Sequence, residues 1–154
     1  MEIITPTSAE HLVLVKTLFQ EYWDSFHFTP CFQNFSTELA TLPGSYAPPG
    51  GRLALAMVDG AAAGCAALRK FDAGRCEAKR LYVRDRFRGR GIGRALLAWL
   101  IAEARGAGYR EMLGDTMPEM AQALAWYDRF GFERIPPYRD NPAPRAIHIR
   151  LPLL

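Results

Sequence analysis

The apolar residues near the start of the chain change from a strand-like run to a helix-like spacing. Residues 2–5 form a short apolar run that predicts a strand. Thr7-Ser-Ala-Glu10 then has the spacing of a capping box, which marks the beginning of a helix. The apolar residues after it recur at steps of three and four: Val15, Leu18, Phe19, Tyr22 and Phe26. A helix is therefore predicted after the box, and a weaker pattern predicts a second helix over about 34–42.

Short apolar runs dominate the middle of the chain and predict strands. Residues 43–51 contain three prolines and three glycines and are predicted to form a loop. The runs at 52–58 and 62–71 are separated by the tight-turn signal Asp59-Gly60, which predicts a β-hairpin. A third run at 75–84 has the same sheet character.

Helical and strand-like patterns alternate in the last third of the chain. One apolar stripe predicts a helix over 93–107: Leu96, Leu97, Leu100, Ile101 and Ala104. Thr116-Met-Pro-Glu119 has capping-box spacing, so a further helix is predicted from there to about Phe130, with Gly131 as its left-handed C-cap. Strands are predicted at 109–115, 132–135 and 146–151, and a proline-rich loop at 136–144.

The order of these elements is typical of an α/β fold. It predicts a mixed sheet with helices on both faces, within a single domain that spans residues 1–154. The strand–helix–strand unit at 76–115 is predicted to be a right-handed crossover between parallel strands.

Composition and motif content exclude several classes of protein. The chain is 49% hydrophobic and 23% charged, which is typical of a globular domain. No apolar run reaches the roughly 18 residues of a membrane span, and the N-terminus lacks a signal-peptide pattern. The cysteines form no CxxC pair and the histidines are scattered: Cys31, Cys65, Cys76, His11, His27 and His148. We therefore expect a cytoplasmic protein with no membrane segment, disulfide framework or metal site.

Positive charge is concentrated in one short segment. The formal net charge is +3, and five arginines with one aspartate give residues 84–94 a charge of +4, leaving −1 for the rest. Domains that bind nucleic acid usually spread positive charge over a whole face. The concentration favours a local anion site and disfavours a nucleic-acid partner.

That segment contains the glycine-rich sequence Arg88-Gly89-Arg90-Gly91-Ile92-Gly93-Arg94, between a predicted strand and a predicted helix. The first N–H groups of a helix have no internal partner and face outward at the positive end of the helix dipole. Glycines let a bulky anion approach the backbone and arginines add bidentate contacts, so a diphosphate is the expected occupant. The spacing matches neither GxxxxGK[ST] nor GxGxxG. A basic turn without a ligand is the alternative.

Three motifs follow one another in a fixed order around this loop. They are Glu77-Ala-Lys-Arg-Leu-Tyr-Val83, Arg88-x-x-Gly91-x-Gly93 and Ala125-Trp-Tyr-Asp-Arg-Phe-Gly-Phe132. Together they resemble the motifs of the GCN5-related N-acetyltransferase (GNAT) superfamily, over about residues 52–135. The resemblance implies a twisted, mostly antiparallel mixed sheet of about seven strands, with its fourth and fifth strands splayed apart to form a cleft.

The resemblance also implies an activity. The protein would move an acetyl group from its co-substrate acetyl-CoA to a primary amine of a small molecule or amino acid, by direct transfer in a ternary complex without a metal. Two alternatives stay open: a non-catalytic acyl-CoA-binding module, and an acetyltransferase that acts on a protein N-terminus, a lysine or an aminoacyl-tRNA. Homodimers are common in the superfamily, so a homodimer also stays open.

Site residues follow from the resemblance position by position. The cofactor-binding residues implied are Leu81, Tyr82, Val83, Arg88, Gly89, Arg90, Gly91, Ile92, Gly93, Arg94 and Tyr127. The Leu81 N–H would polarise the thioester carbonyl, and Val83 would pair with the pantetheine amides. Tyr127 would protonate the departing thiolate, although its spacing also fits a core aromatic. Met120 stands where many members have an asparagine that contacts CoA.

Glu77 is the candidate general base, since a glutamate eleven residues before the loop arginine has that role in the histone-acetylating branch. Strand alternation predicts that Glu77, Lys79, Leu81 and Val83 share one face. The alternatives are an ion pair with Lys79 or Arg80, or a solvated strand end.

The acceptor side offers two kinds of side chain. One is an aromatic set that suits a cationic amine, or a helix core: Tyr22, Trp23, Phe26, His27, Phe28 and Phe32. The other is a set of cations that suits a carboxylate: Arg69, Lys70, Lys79 and Arg80. The loop at 136–144, with Tyr138, Arg139 and Asp140, is predicted to close over the acceptor.

Overall fold

The computed structural model describes residues 1–25, 35–139 and 145–154. In these ranges the strands are β1 (Glu2–Ile4), β2 (Arg52–Val58), β3 (Ala61–Lys70), β4 (Arg75–Val83), β5 (Glu111–Thr116), β6 (Glu133–Ile135) and β7 (Ile147–Pro152). The helices are α1 (Ala9–Asp24), α2 (Phe35–Ala40), α3 (Ile92–Gly106) and α4 (Ala121–Arg129), with 3₁₀ turns at Gly44–Tyr46 and Asp85–Phe87. None of these helices has the length and apolar content needed to cross a bilayer.

The strands form one mixed sheet, in the order β1-β2-β3-β4-β5-β7-β6. Every neighbouring pair is antiparallel except β4 and β5, which are parallel and joined through α3. The predicted parallel pairing across the strand–helix–strand unit and the mostly antiparallel sheet are therefore confirmed.

The sheet opens between β4 and β5. Their pairing covers three positions and ends at Glu77 opposite Leu113. Beyond that point β4 continues to Val83 and β5 to Thr116, without a further ladder between them. This divergence forms the predicted cleft, and the second half of β4 is left unpaired on the side that faces β5.

A bulge in β4 changes which side chains face which side of the sheet. The register with β3 shifts between Cys65 opposite Tyr82 and Ala67 opposite Lys79, and Arg80 has a φ of 60°. The extra residue reverses the alternation of side chains from Arg80 onward. The core beneath α3 accordingly takes these side chains of β4: Cys76, Ala78, Leu81 and Val83. The prediction that Glu77, Lys79, Leu81 and Val83 share one face is therefore wrong.

Helices cover both faces of the sheet, as predicted. The core on the face of α1 and α2 contains Val15, Leu18, Phe19, Phe35, Tyr46, Leu53 and Leu55. The core on the face of α3 and α4 contains Leu96, Leu97, Leu100, Ile101, Met112, Tyr127 and Ile149. The sheet is thus buried on both sides, which fixes the backbone of β4 at the edge of the cleft.

Two predicted helix starts need correction. The N-cap of α1 is Ser8, whose hydroxyl accepts the His11 N–H at 3.1 Å, one residue later than the predicted box. The box at Thr116–Glu119 does not cap α4, because Thr116 pairs with Ile147 in the sheet and the N-cap is Met120. Gly131 has a φ of 88° at the end of α4, as the prediction of a left-handed cap requires.

Candidate active site

Three cavities follow one another along the second half of β4. A groove of about 420 Å³ lies at the end of the strand, beside α4. A small cavity of about 60 Å³, here called the reaction cavity, shares Leu81 and Met120 with the groove. A basin of about 410 Å³ shares Lys79 and Arg80 with the reaction cavity. The three spaces therefore lie in a row along the half of β4 that is not paired with β5.

The groove has the walls that the splayed strand and α4 provide. Leu81, Tyr82 and Val83 form one side, the segment from Met117 to Ala123 and the Trp126 side chain form the other, and Arg88 lies at the end. Three of the predicted contacts, Leu81, Tyr82 and Val83, thus line the same space as the loop arginine. The groove thus has Arg88 of the glycine-rich loop in its lining and shares Leu81 and Met120 with the reaction cavity.

The glycine-rich loop presents unpaired backbone donors. In the described chain the N–H groups from Gly89 to Arg94 donate no backbone hydrogen bond, and the first one that does belongs to Ala95, to the Gly91 carbonyl at 3.0 Å. Gly89 and Gly91 both have a φ of 78°, and a Cβ at either would meet no atom within 4 Å. These amides at the start of α3 fit the diphosphate of acetyl-CoA.

Gly93 has a different reason to be glycine. A Cβ there would overlap the indole of Trp126, whereas the space above Gly89 and Gly91 is open. Gly93 therefore lets α4 approach α3, and the Trp126 ring fills the volume that a larger residue would need. Sequence reasoning assigned this glycine to the anion, and the structure adds a packing role.

The arginines of the basic segment divide into two groups. Arg84 contacts Glu21 of α1 at 2.7 Å, and this ion pair lowers the pKa of Glu21. Arg88 contacts Asp85 at 3.1 Å and the Val83 carbonyl at 3.3 Å. The arginines at 86, 90 and 94 form the second group: they are exposed in or near the glycine-rich loop, where they can face an anion.

Tyr127 reaches the reaction cavity from α4. Its side chain is 6% exposed, and its ring packs edge-on against Phe132 at 5.1 Å. Burial, together with the nearby Tyr22 and Asp115, raises the pKa of its hydroxyl. Tyr127 is therefore a core aromatic that also lines the same cavity as Leu81, and its role as a proton donor stays a prediction.

Asp115 also lines the reaction cavity, and sequence reasoning missed it. The Lys79 ammonium donates a hydrogen bond to its carboxylate at 3.3 Å. Burial opposes ionisation of Asp115, but Lys79, with Arg139 and His148, outweighs it and lowers the pKa of that carboxyl. Burial likewise lowers the pKa of Lys79. The sequence signal that could have identified Asp115 is its position as a carboxylate directly after the uncharged residues 112–114 of a predicted strand.

Glu77 does not line this cavity. It is fully buried on the opposite face of β4 from Leu81. Its carboxylate accepts the Tyr138 hydroxyl at 2.6 Å and Arg69 Nε at 3.0 Å, and it lies 3.2 Å from Arg139 and 3.9 Å from Lys79. The structure therefore supports the ion-pair alternative for Glu77: Lys79 is a partner as suggested, Arg80 is not, and Arg69 and Arg139 are additional partners.

The basin beyond the reaction cavity contains predicted and unpredicted residues. We call it the cationic basin and define it by Arg69, Lys79, Arg80 and Arg139. Arg80 is held by two 2.9 Å hydrogen bonds to Glu38 of α2. Of the proposed aromatic set, Tyr22 and Trp23 line the reaction cavity. Lys70 is exposed at the end of β3 and does not line the basin. Five other predicted residues of this side fall outside the described residues: Phe26, His27, Phe28, Phe32 and Asp140.

The fold and this arrangement define a class of protein, the acyltransferases built on a splayed mixed sheet with a glycine-rich loop. The model of the Acetyltransferase (GNAT) family matches residues 15–132, and the chain belongs to that family. The predicted superfamily and enzyme class are therefore confirmed.

Individual relatives agree with this assignment. The chain is 39% identical over 138 residues to an uncharacterised N-acetyltransferase from Schizosaccharomyces pombe, covering 88% of this chain and 85% of the relative. A Staphylococcus aureus acetyltransferase of the GNAT family has the same fold, with a TM-score of 0.82, 18% identity and 99% coverage of both chains. A Salmonella typhimurium protein solved with acetyl-CoA has a TM-score of 0.77 and 19% identity, covering 99% of this chain and 94% of the other.

Proposed function

We propose that this enzyme transfers an acetyl group from acetyl-CoA to a primary amine of a small molecule or amino acid, by direct transfer in a ternary complex. The observation that carries the proposal is the run of unpaired amides from Gly89 to Arg94, beside a groove that leads to Leu81 and Tyr127. The fold neighbour solved with acetyl-CoA supports the same co-substrate.

The two walls of the reaction cavity have complementary roles in the proposal. Acetyl-CoA supplies an activated thioester, whose C–S bond breaks as the acceptor nitrogen bonds to the carbonyl carbon. Leu81 lies beyond the last paired position of β4 and β5, so its N–H is the proposed donor to the developing oxyanion. Tyr127 is the proposed donor of a proton to the thiolate, and its raised pKa keeps the hydroxyl protonated at neutral pH.

The acceptor amine must lose a proton before or during attack. Glu77 as general base stays a prediction, and its burial away from the reaction cavity weakens it. Asp115 is better placed, because it is the carboxylate among the described residues that lines this cavity. Its lowered pKa keeps it ionised, so we propose that it binds and orients the acceptor ammonium. The ammonium gives one proton to solvent water before the nitrogen attacks, and the second proton, released as the amide forms, replaces the one that Tyr127 donates to the thiolate.

Ligand binding and turnover test this function separately. We expect acetyl-CoA and CoA to raise the unfolding temperature, and ATP and NAD to leave it unchanged, because the loop lacks the spacing of either nucleotide motif. We further expect free thiol to appear when amines are added with acetyl-CoA. Stabilisation without thiol release for any amine, protein N-terminus or aminoacyl-tRNA would instead indicate the non-catalytic binding module. The homodimer and the cytoplasmic location stay predictions.

A further inference from the structure

The cationic basin contains two ion pairs that neutralise themselves. Arg80 is matched by Glu38, whose oxygens accept both of its hydrogen bonds at 2.9 Å. Lys79 is matched by Asp115 at 3.3 Å. The two pairs are each neutral in formal charge, so they add no net positive charge to the basin.

The other two arginines of the basin share one carboxylate. Arg69 lies 3.0 Å and Arg139 lies 3.2 Å from Glu77, which is fully buried and also accepts the Tyr138 hydroxyl. Within the described residues, the basin and its partners thus combine four cations with three carboxylates. Among these described side chains, one guanidinium charge is left without a matching carboxylate.

Arg139 also has a donor without an acceptor. Its Nε is buried and has no hydrogen-bond partner in the described structure. The side chain as a whole is 28% exposed and lines the basin, so a ligand there can reach it. A buried N–H without a partner is costly, and an anion in the basin would remove that cost.

The basin is next to the place where the acetyl group would react. Lys79 and Arg80 line the basin and the reaction cavity alike, so the two spaces meet at these side chains. A molecule whose amine lies beside Asp115 would therefore extend its other end into the basin. The residues there would recognise the part of the acceptor that does not react.

We propose that the acceptor is an amine that also carries a carboxylate, as an amino acid does, and that Arg139 together with Arg69 binds this carboxylate in the cationic basin. The proposal rests on the proposed function, because it assigns the second substrate of that reaction. A guanidinium is planar and binds a carboxylate through two parallel hydrogen bonds. The single unmatched charge equals that of one carboxylate, whereas a phosphate monoester carries about −1.5 to −2 at pH 7.

Matched acceptors test the proposal with the full-length enzyme. Thiol release is measured for a panel of amino acids, each compared with its decarboxylated amine and its carboxamide. We expect kcat/KM to be about tenfold or more higher for the carboxylates, which is the value of one hydrogen-bonded charge. Arg139→Gln should abolish this preference by raising KM for the carboxylates, and should change kcat/KM for the decarboxylated amines far less. Arg134→Gln, at an exposed arginine of β6, is the matched control.

Calorimetric binding of the same amino acids to the CoA-loaded protein separates the two proposals. Amino-acid binding that Arg139→Gln weakens, without thiol release for any acceptor, would support the carboxylate site and overturn the transferase function. Robust thiol release with equal or better use of decarboxylated amines would overturn the carboxylate site and support the transferase. A carboxylate preference that survives Arg139→Gln in folded protein, or no amino-acid binding at millimolar concentration, would also overturn the site.

Discussion

The loop that fits the cofactor and the basin that fits the acceptor are built in opposite ways. The loop is one continuous segment, from Arg88 to Arg94, and its donors are backbone N–H groups at the start of α3. The basin collects side chains from α2, β3, β4 and the segment after β6, which lie far apart in sequence. One substitution within the loop segment is therefore enough to change the loop, whereas the basin depends on how the strands of the whole sheet pair.

The largest effect is expected where the assembled site is buried. Glu77→Gln removes the carboxylate that Arg69 and Arg139 share, and leaves two guanidiniums without it. We expect the free energy of unfolding in urea to fall by about 3–5 kcal/mol. Glu133→Gln, in an exposed pair with Arg150, should cost no more than about 1 kcal/mol.

The same variant tests Glu77 as a base. If Glu77 serves only as an anchor, kcat per folded molecule should change little. A fall of about a hundredfold in protein shown to be folded would restore it as the general base.

The second-largest effect is expected at the reaction cavity, which lies between the groove beside the loop and the cationic basin. Tyr127→Phe keeps the ring in the core but removes the proposed proton donor from the reaction cavity. We expect kcat to fall by about a hundredfold or more, with the acetyl-CoA dissociation constant nearly unchanged. Stopped-flow thiol release and calorimetry measure the two quantities, and an unchanged kcat would remove Tyr127 from the mechanism.

The local site is tested by a pair of glycines in the same conformation. Gly91 and Gly60 have φ values of 78° and 80°, and a Cβ at either would meet nothing within 4 Å. Alanine at either position should destabilise the fold by about 1–2 kcal/mol, because both would adopt the left-handed region. Gly91→Ala should also weaken acetyl-CoA binding by about tenfold, since the added Cβ would occupy the open space above the loop where the diphosphate is proposed to bind. Equal affinities for the two variants would contradict this assignment of the loop.

The smallest effect is expected when Glu21 is replaced, because its partner Arg84 belongs to the basic segment but not to the loop proposed to bind the anion. Arg84 pairs with Glu21, and the hydrogen bond from Arg84 is the main cause that lowers the pKa of that carboxyl. Glu21→Gln should therefore cost about 1 kcal/mol or less, because the pair is partly exposed. A lowered folded-state pKa means that this stabilisation is complete above about pH 4.3 and is lost as the pH falls through the folded-state pKa. Unfolding followed between neutral and acid pH should show the difference shrink, with acetyl-CoA affinity unchanged throughout.

The sequence predicted the local region well, for a physical reason. A glycine-rich turn before an apolar stripe determines its own backbone geometry, so the loop and α3 lie where the pattern placed them. The parallel pair also followed from the alternation of elements, whereas the order of the strands in the sheet was not predicted. Gly93 was placed in the loop correctly, but its contact with Trp126 depends on how α4 packs on α3.

The assembled region was less accessible, because one extra residue decides it. Simple alternation placed Glu77 and Leu81 on one face, and the bulge at Arg80 separates them. The family resemblance implies a bulge in this strand but not its position, and it is the position at Arg80 that puts Glu77 and Leu81 on opposite faces. Asp115 and the shared carboxylate of Arg69 and Arg139 require knowledge of which strands meet.

The contact between Trp126 and Gly93 links the start of α3 to α4. Because Trp126 directly precedes Tyr127 in α4, the indole sets the spacing between the loop amides proposed to bind the diphosphate and the hydroxyl proposed to donate a proton. We therefore expect the enzyme to select the length of its thioester carrier: a shortened arm whose diphosphate binds the loop would leave its sulfur out of reach of Tyr127.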